Sequence, residues 1–294
     1  MKRTWFLIFF ALLACIIFLR QLEHSLKHSK DSLIRALPAA TQKFAYGPGR
    51  DQFGELWLPS GNGPHPVAIL IHGGCWMEGS ADASQLAYIA EDLRKSGIAV
   101  WNLEYRRLGI KDGGYPGTFH DIAQGIDYLR RISARHALDL SHVAVMGHSA
   151  GGHLALWAAG RGSLKKDGSL YRKNPLPVHV AVSLAGINDL AAYRVDGPAC
   201  GGPKTIDAVS GGEGRYAETS PAAMLPLHVP QIIVSGGRDD VVPQRFGGAY
   251  GAAAKTAGDK VEIINIAGAG HMDFIDPDSG AWKQVRAALL VYLK

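Results

Sequence analysis

Ser149 stands in "VAVMGHSAGGHLALWAAG", between Gly147 and Gly151, where an apolar run of strand character gives way to a helical one. G-x-S-x-G alone is a frequent pattern, but a strand leading in and a helix leading out is the setting of a tight turn that pushes a serine hydroxyl out at the carboxyl end of the strand. The N-terminus of the following helix would then lie beneath that hydroxyl with its free N–H groups. A serine hydroxyl is a poor nucleophile near neutral pH, so chemistry here needs a base to take its proton and donors to hold the oxyanion that forms. The paired glycines of "ILIHGGCWMEG" let the backbone N–H groups of Gly74 and Cys75 point into a site, and Ala150 offers another N–H directly after the serine.

Twelve histidines compete for the role of base. His271 stands out because "INIAGAGHMDF" sets it in a small-residue loop after the last strand-like run. His148 is adjacent to Ser149 and cannot easily fold back on it, and His153 falls on the helix that follows. His72 belongs to the glycine loop, where its expected role is to brace that loop by hydrogen bonds. "IIVSGGRDDVVP" offers Asp239 and Asp240 after the penultimate strand-like run, where a buried acid would fix an imidazole tautomer and stabilise its cation.

These residues need a frame that presents several loops on one side. Strand-like runs "FGELWLP", "PVAILIHGG", "IAVWNLEYR", "HVAVMG", "VHVAVSLAG", "QIIVSGG" and "VEIINIAG" alternate with helical segments, among them "SQLAYIAEDLRKSG", "FHDIAQGIDYLRRISARH" and the closing "GAWKQVRAALLVYLK". Short apolar strands without period-two alternation, separated by helices, predict a mostly parallel central sheet covered by helices on both faces. One doubly wound α/β domain over residues 42–294 accounts for the pattern. The exception is 188–225, rich in Gly, Pro and Ala, which reads as a cap-like insertion or, failing that, a disordered one.

In that order, "HGGCW", "GHSAGGH", "GRDDVVP" and "GAGHMDF" resemble the α/β-hydrolase superfamily, and within it the esterase and arylformamidase-like branch with an HGGxW loop. "YPGTFHDIAQGIDYLR" is similar to the helix before the nucleophile strand in that branch. The resemblance spans roughly Phe44 to Lys294. It implies the α/β-hydrolase fold, a triad of Ser149, Asp239 and His271 in the chain order of that fold, and an oxyanion hole from Gly74, Cys75 and Ala150. The acid of similar enzymes lies four residues before the proline, which selects Asp239 over Asp240. Trp76, closing the HGGxW pattern, is assigned to the substrate pocket. Cys75 stands where relatives often carry another residue; it reads as a small core-facing side chain or as a thiol beside the acyl pocket.

The expected function is hydrolysis of a carboxylic ester of small or medium acyl group through an acyl-enzyme, since no long apolar lid is visible. An aryl-formamide is the alternative substrate, and a non-catalytic binding protein on a hydrolase scaffold is the alternative class, disfavoured because no triad member is missing. No cofactor is expected, and the absence of any C-x-x-C excludes a metal site of cysteine pairs.

Of the formal charge of +5, six basic residues up to Arg35 (Lys2, Arg3, Arg20, Lys27, Lys30, Arg35) against Glu23 and Asp31 carry +4. The rest is almost neutral, which excludes a basic face for nucleic acid. The charge instead flanks "WFLIFFALLACIIFL", residues 5–19, shorter than the ~20 residues of a comfortable membrane span. Residues 1–20 therefore read as an export signal, cleaved, or uncleaved as a membrane tether, although no clean small-x-small site follows. A lipoprotein box ending in Cys15 and a buried N-terminal helix are weaker readings. Residues 21–41 read as a spacer, and the expected location is exported, periplasmic or membrane-anchored. Of the three cysteines, Cys75 and Cys200 would lie in the exported domain, so one disulfide is allowed, which spacing alone does not establish.

Overall fold

In a computed structural model, residues 36–293 are described. The apolar segment 5–19, its export reading and most of the spacer lie outside them. Among the described residues no helix is long and apolar enough to cross a membrane.

Eight strands form one sheet: β1 Gln42–Ala45, β2 Phe53–Trp57, β3 His65–Ile71, β4 Ala99–Leu103, β5 Leu138–His148, β6 Val180–Leu184, β7 Gln231–Gly236 and β8 Val261–Ile266, in the order β1-β2-β4-β3-β5-β6-β7-β8. The β1–β2 and β2–β4 pairs are antiparallel; every pair from β4 to β8 is parallel. The main helices are α1 Ala87–Lys95, α2 Gly117–Asp127, α3 Ala150–Gly160, α4 Leu190–Asp196, α5 Pro203–Ser210, α6 Gln244–Thr256 and α7 Gly280–Leu293.

The continuous apolar runs of the inner strands follow from burial on both sides. Along β3, Val67, Ile69 and Ile71 pack into one core and Ala68 and Leu70 into the other. The first core is filled by Phe119, Ile122 and Ile126 of α2, Leu154 and Trp157 of α3, and Phe246 and Tyr250 of α6. The second takes Ile89 and Leu93 of α1 with Trp282, Val285 and Leu289 of α7. Trp282 Nε1 and Arg286 both donate to Asp92, at 2.7 and 2.8 Å, tying α7 to α1. Helix α3, apolar on every side, is almost wholly buried, as a helix inserted between a sheet and neighbouring elements must be.

The insertion is more ordered than its composition implies. Residues 188–225 fold into α4, α5 and the single helical turns Tyr216–Thr219 and Pro221–Met224. Glycines at 197, 201, 202, 211 and 212 interrupt the helices, and this punctuation hides their periodicity in the sequence. The insertion is sewn to the body: Trp157 Nε1 donates to Glu218 O at 2.9 Å and Tyr193 Oη to Val241 O at 2.8 Å.

Candidate active site

The loops after β3, β5, β7 and β8 open at the carboxyl ends of parallel strands, the side on which open α/β sheets bind ligands. Ser149 closes β5 and opens α3. Its backbone is left-handed, φ 55° and ψ −120°, an unusual state for a residue with a side chain. The turn is possible because its neighbours lack Cβ atoms: one added at Gly147 would overlap Gly151 O, and one added at Gly151 would overlap Ile71 O. Ser149 N donates to Leu184 O at 2.8 Å, fixing the turn to β6. The serine is 3% exposed.

Asp239 follows β7 and His271 follows β8. His271 Nδ1 donates to Asp239 Oδ2 at 2.8 Å, which leaves Nε2 with its lone pair free to act as a base. The other carboxylate oxygen, Oδ1, accepts from the N–H groups of Val241 and Val242 at 2.9 and 2.8 Å. The Asp239 side chain is fully buried and that of His271 is 12% exposed. Asp240 is exposed on the same loop. His148, next to Ser149, donates from Nε2 to His271 O at 2.9 Å, and its ring centre lies 4.5 Å from that of His271. Burial and then the neighbouring His271 push its pKa down to about 3, so its ring is neutral. The sequence left this anchoring contact unseen, because nothing in "GHSAG" says where the second residue's side chain turns.

Gly74, Cys75 and Trp76 are three successive left-handed residues, at φ 93°, 52° and 56°. Met77 N donates to Gly74 O at 2.9 Å, so the run forms a tight turn. Neither Gly74 N–H, Cys75 N–H nor Ala150 N–H donates to an acceptor among the described residues. A Cβ placed on Gly73 would come within 3.2 Å of Ser149 Cβ, which sets this loop directly against the serine.

Buried polar groups hold the loop. Gly73 N donates to Gln85 Oε1 at 2.7 Å, His72 Nε2 donates to Glu104 Oε1 at 3.0 Å, and His72 Nδ1 lies 2.9 Å from Gly73 O. The His72 ring stacks on Tyr105, whose hydroxyl donates to His72 O. Burial alone would raise the Glu104 carboxyl, but His72 and Arg107 outweigh it and hold it below its ordinary range. The bracing expected of His72 is therefore present. Its partner Glu104 was missed, although a charged residue closing the apolar run "IAVWNLEYR" was the available signal.

At this loop the reading of Trp76 needs correction, and the disulfide left open for Cys75 is present. Trp76 is 0% exposed and packs edge-on against His153, so it supports the site from behind and presents no surface to a substrate. Cys75 is not a thiol: it is disulfide-bonded to Cys200 of the insertion, the two Cα atoms 5.0 Å apart. No group of His, Cys, Asp and Glu that could hold a metal ion occurs among the described residues.

A serine on a strained turn, a histidine paired with a buried carboxylate and unbonded N–H groups on the adjoining loop make an arrangement able to carry acyl transfer. Several known proteins resemble the chain. An isoprenylcysteine alpha-carbonyl methylesterase of Arabidopsis thaliana is 25% identical over 249 residues, 76% of this chain and 54% of the relative. The chain thus spans about half the length of the curated relatives it matches. Among solved structures, a truncated carbohydrate esterase from gut microbiota superposes with a TM-score of 0.72 at 22% identity, covering 87% of this chain and 98% of the other. The butyrate-bound esterase Est2 of the planctomycete Thermogutta terrifontis gives 0.70 at 20%, covering 87% and 94%. The likeness to these structures shows the fold, that of the α/β-hydrolases. With the BD-FAE family model matching residues 55–248, the chain belongs to the BD-FAE family.

Proposed function

We propose that the protein is a serine hydrolase that cleaves carboxylic esters of small or medium acyl groups. Ser149 attacks the carbonyl while His271 Nε2 takes its proton, and Asp239 holds the imidazole in the correct tautomer and stabilises the imidazolium. The N–H groups of Gly74, Cys75 and Ala150 receive the oxyanion of the tetrahedral intermediate. His271 then returns the proton to the leaving alcohol, and water attacks the acyl-Ser149 ester by the same route in reverse. The observation that carries the reading is the Asp239–His271 pair at 2.8 Å, anchored by His148, the residue beside Ser149, through its hydrogen bond to His271 O. The names of the relatives support an ester, and the butyrate in the Thermogutta esterase supports a short acyl group.

We propose in addition that the enzyme is exported and works outside the cytoplasm, cleaved from residues 1–20 or tethered by them. The Cys75–Cys200 disulfide supports this, because disulfides persist in oxidising compartments.

The test is labelling by a fluorophosphonate probe, with hydrolysis profiled over nitrophenyl esters of rising chain length and an aryl-formamide. The expected result is labelling that Ser149→Ala abolishes, and turnover that peaks at short acyl chains. No labelling of folded protein, or labelling that survives Ser149→Ala, would defeat the reading; preference for the formamide would move the substrate class.

A further inference from the structure

We propose that the Cys75–Cys200 disulfide is a positioning element of the oxyanion site, through which the insertion 188–225 holds the Cys75 N–H in place. This rests on the oxyanion role given above to the Gly74–Cys75 loop.

Cys75 is the middle of three left-handed residues, two of which carry side chains. Such residues persist only where the surroundings over-determine them. Trp76 is fixed by its burial, and Leu108 N donates to Trp76 O at 2.7 Å. Cys75 N has no partner among the described residues, so what fixes this residue from its own side chain is the bond to Cys200.

The far end of that bond is itself held. Cys200, at φ 59°, lies with Gly201 and Gly202, at φ 73° and 66°, in the turn between α4 and α5. Arg194 of α4 grips Asp207 of α5 with two hydrogen bonds of 2.8 and 3.0 Å, closing that turn from both sides. One residue earlier, Tyr193 Oη donates to the carbonyl of Val241, whose N–H donates to Asp239. The oxyanion loop and the loop of the triad acid are therefore joined through one small piece of the insertion. The free N–H of Cys75 is set relative to Asp239 and His271 by this route as well as by the sheet. A disulfide closing 125 residues of sequence at this point acts on geometry at the reacting carbonyl, beyond holding the chain together.

The diagnostic variant is Cys200→Ala, which keeps Cys75 and its N–H in the chain but cuts the tether that positions it. Cys75→Ala, the double variant, and wild-type enzyme reduced with a phosphine complete the set. In the reduction, the sulfur–sulfur bond gives two thiols and the phosphine takes oxygen from water to become its oxide. kcat and KM are measured on a short nitrophenyl ester, with folded fraction from circular dichroism and rates expressed per labelled Ser149. The expected result is a loss of about tenfold or more in kcat, the order of a misplaced oxyanion donor, with KM within about threefold, as for an interaction made only in the transition state. All three variants should lose the same amount, because they remove one shared link. Wild-type kcat in Cys200→Ala, or a defect confined to KM, overturns the proposal. If Cys200→Ala does not fold, reduced wild type with two counted thiols and native circular dichroism decides by the same criteria. Absence of ester hydrolysis by the oxidised wild type would instead overturn the functional reading.

Discussion

At the scale of single residues, Asp239 and Asp240 make the sharpest contrast, since they are neighbours with the same chemistry. Asp239 is buried, with one oxygen on His271 Nδ1 and the other on two backbone N–H groups; Asp240 is exposed. Asp239→Asn keeps the shape but can offer an amide N–H to Nδ1, which turns the imidazole to the wrong tautomer. Turnover should fall by roughly three to four orders of magnitude, the cost of that change in a triad, while Asp240→Asn should stay within about threefold of wild type. Steady-state kinetics of the two variants on one ester checks this, and the reverse ranking would show the acid misassigned. The Asp239–His271 pair and the turn that carries Ser149 were legible in sequence because each lies in a short motif after a strand. His148 and Glu104 were not, because their work depends on what their side chains meet across the fold: His271 O in one case, His72 in the other.

At the scale of elements, glycine decides two things with opposite signs. In the β5–α3 turn, a Cβ on Gly151 would overlap Ile71 O and come within 2.5 Å of His72 O, both backbone atoms that cannot step aside. Gly151→Ala should therefore cost at least about 1–3 kcal/mol, the range of overpacking, and should disturb the serine turn and the loop from His72 to Gly74 together. In α6, Gly248 meets nothing within 4 Å where a Cβ would stand. Gly248→Ala should stabilise by about 0.5–1 kcal/mol through helix propensity. Urea unfolding of both variants tests the pair. The same glycines explain what the sequence concealed. Strands β2 to β8 were legible as apolar runs, and α1, α2, α3 and α7 as helical ones. Helix α6 was not, because "QRFGGAYGAAAKT" spends its contact face on glycine: a Cβ on Gly251 would press within 2.7 Å of Ile263 on β8. Close approach of helix to sheet thus leaves Phe246 and Tyr250 as the large apolar residues of that face, too few to show a period. Helices α4 and α5 were lost for a different reason, their shortness between glycine turns.

At the scale of the whole molecule, two buried histidines limit stability in acid. His153, on α3, donates from Nε2 to Thr219 O at 2.7 Å, and His148 donates from Nε2 to His271 O at 2.9 Å. The Nδ1 atom of each has no partner among the described residues. Protonation would place a charge and an unpaired N–H in the interior, so burial lowers the pKa of His153 to about 4, and burial with His271 lowers that of His148 to about 3. An unfolded histidine titrates near 6.5. Between that value and the folded one the unfolded chain binds more protons, so stability falls as pH falls. The contribution is fully present above about pH 6.5 and is lost progressively toward pH 4 for His153 and pH 3 for His148. At about 1.4 kcal/mol per unit, His153 alone accounts for about 3 kcal/mol across its window. Both rings link the serine turn to distant parts: His153 to the insertion, His148 to the loop of His271. Acid should therefore loosen the site along with the fold. The check is the unfolding free energy of wild type and His153→Phe from pH 7.5 to 4. The variant, which gives up the Thr219 bond, should be less stable at pH 7.5 and should lose less on acidification, so that the two curves converge. Parallel curves would show that His153 takes up its proton alike in the folded and unfolded states.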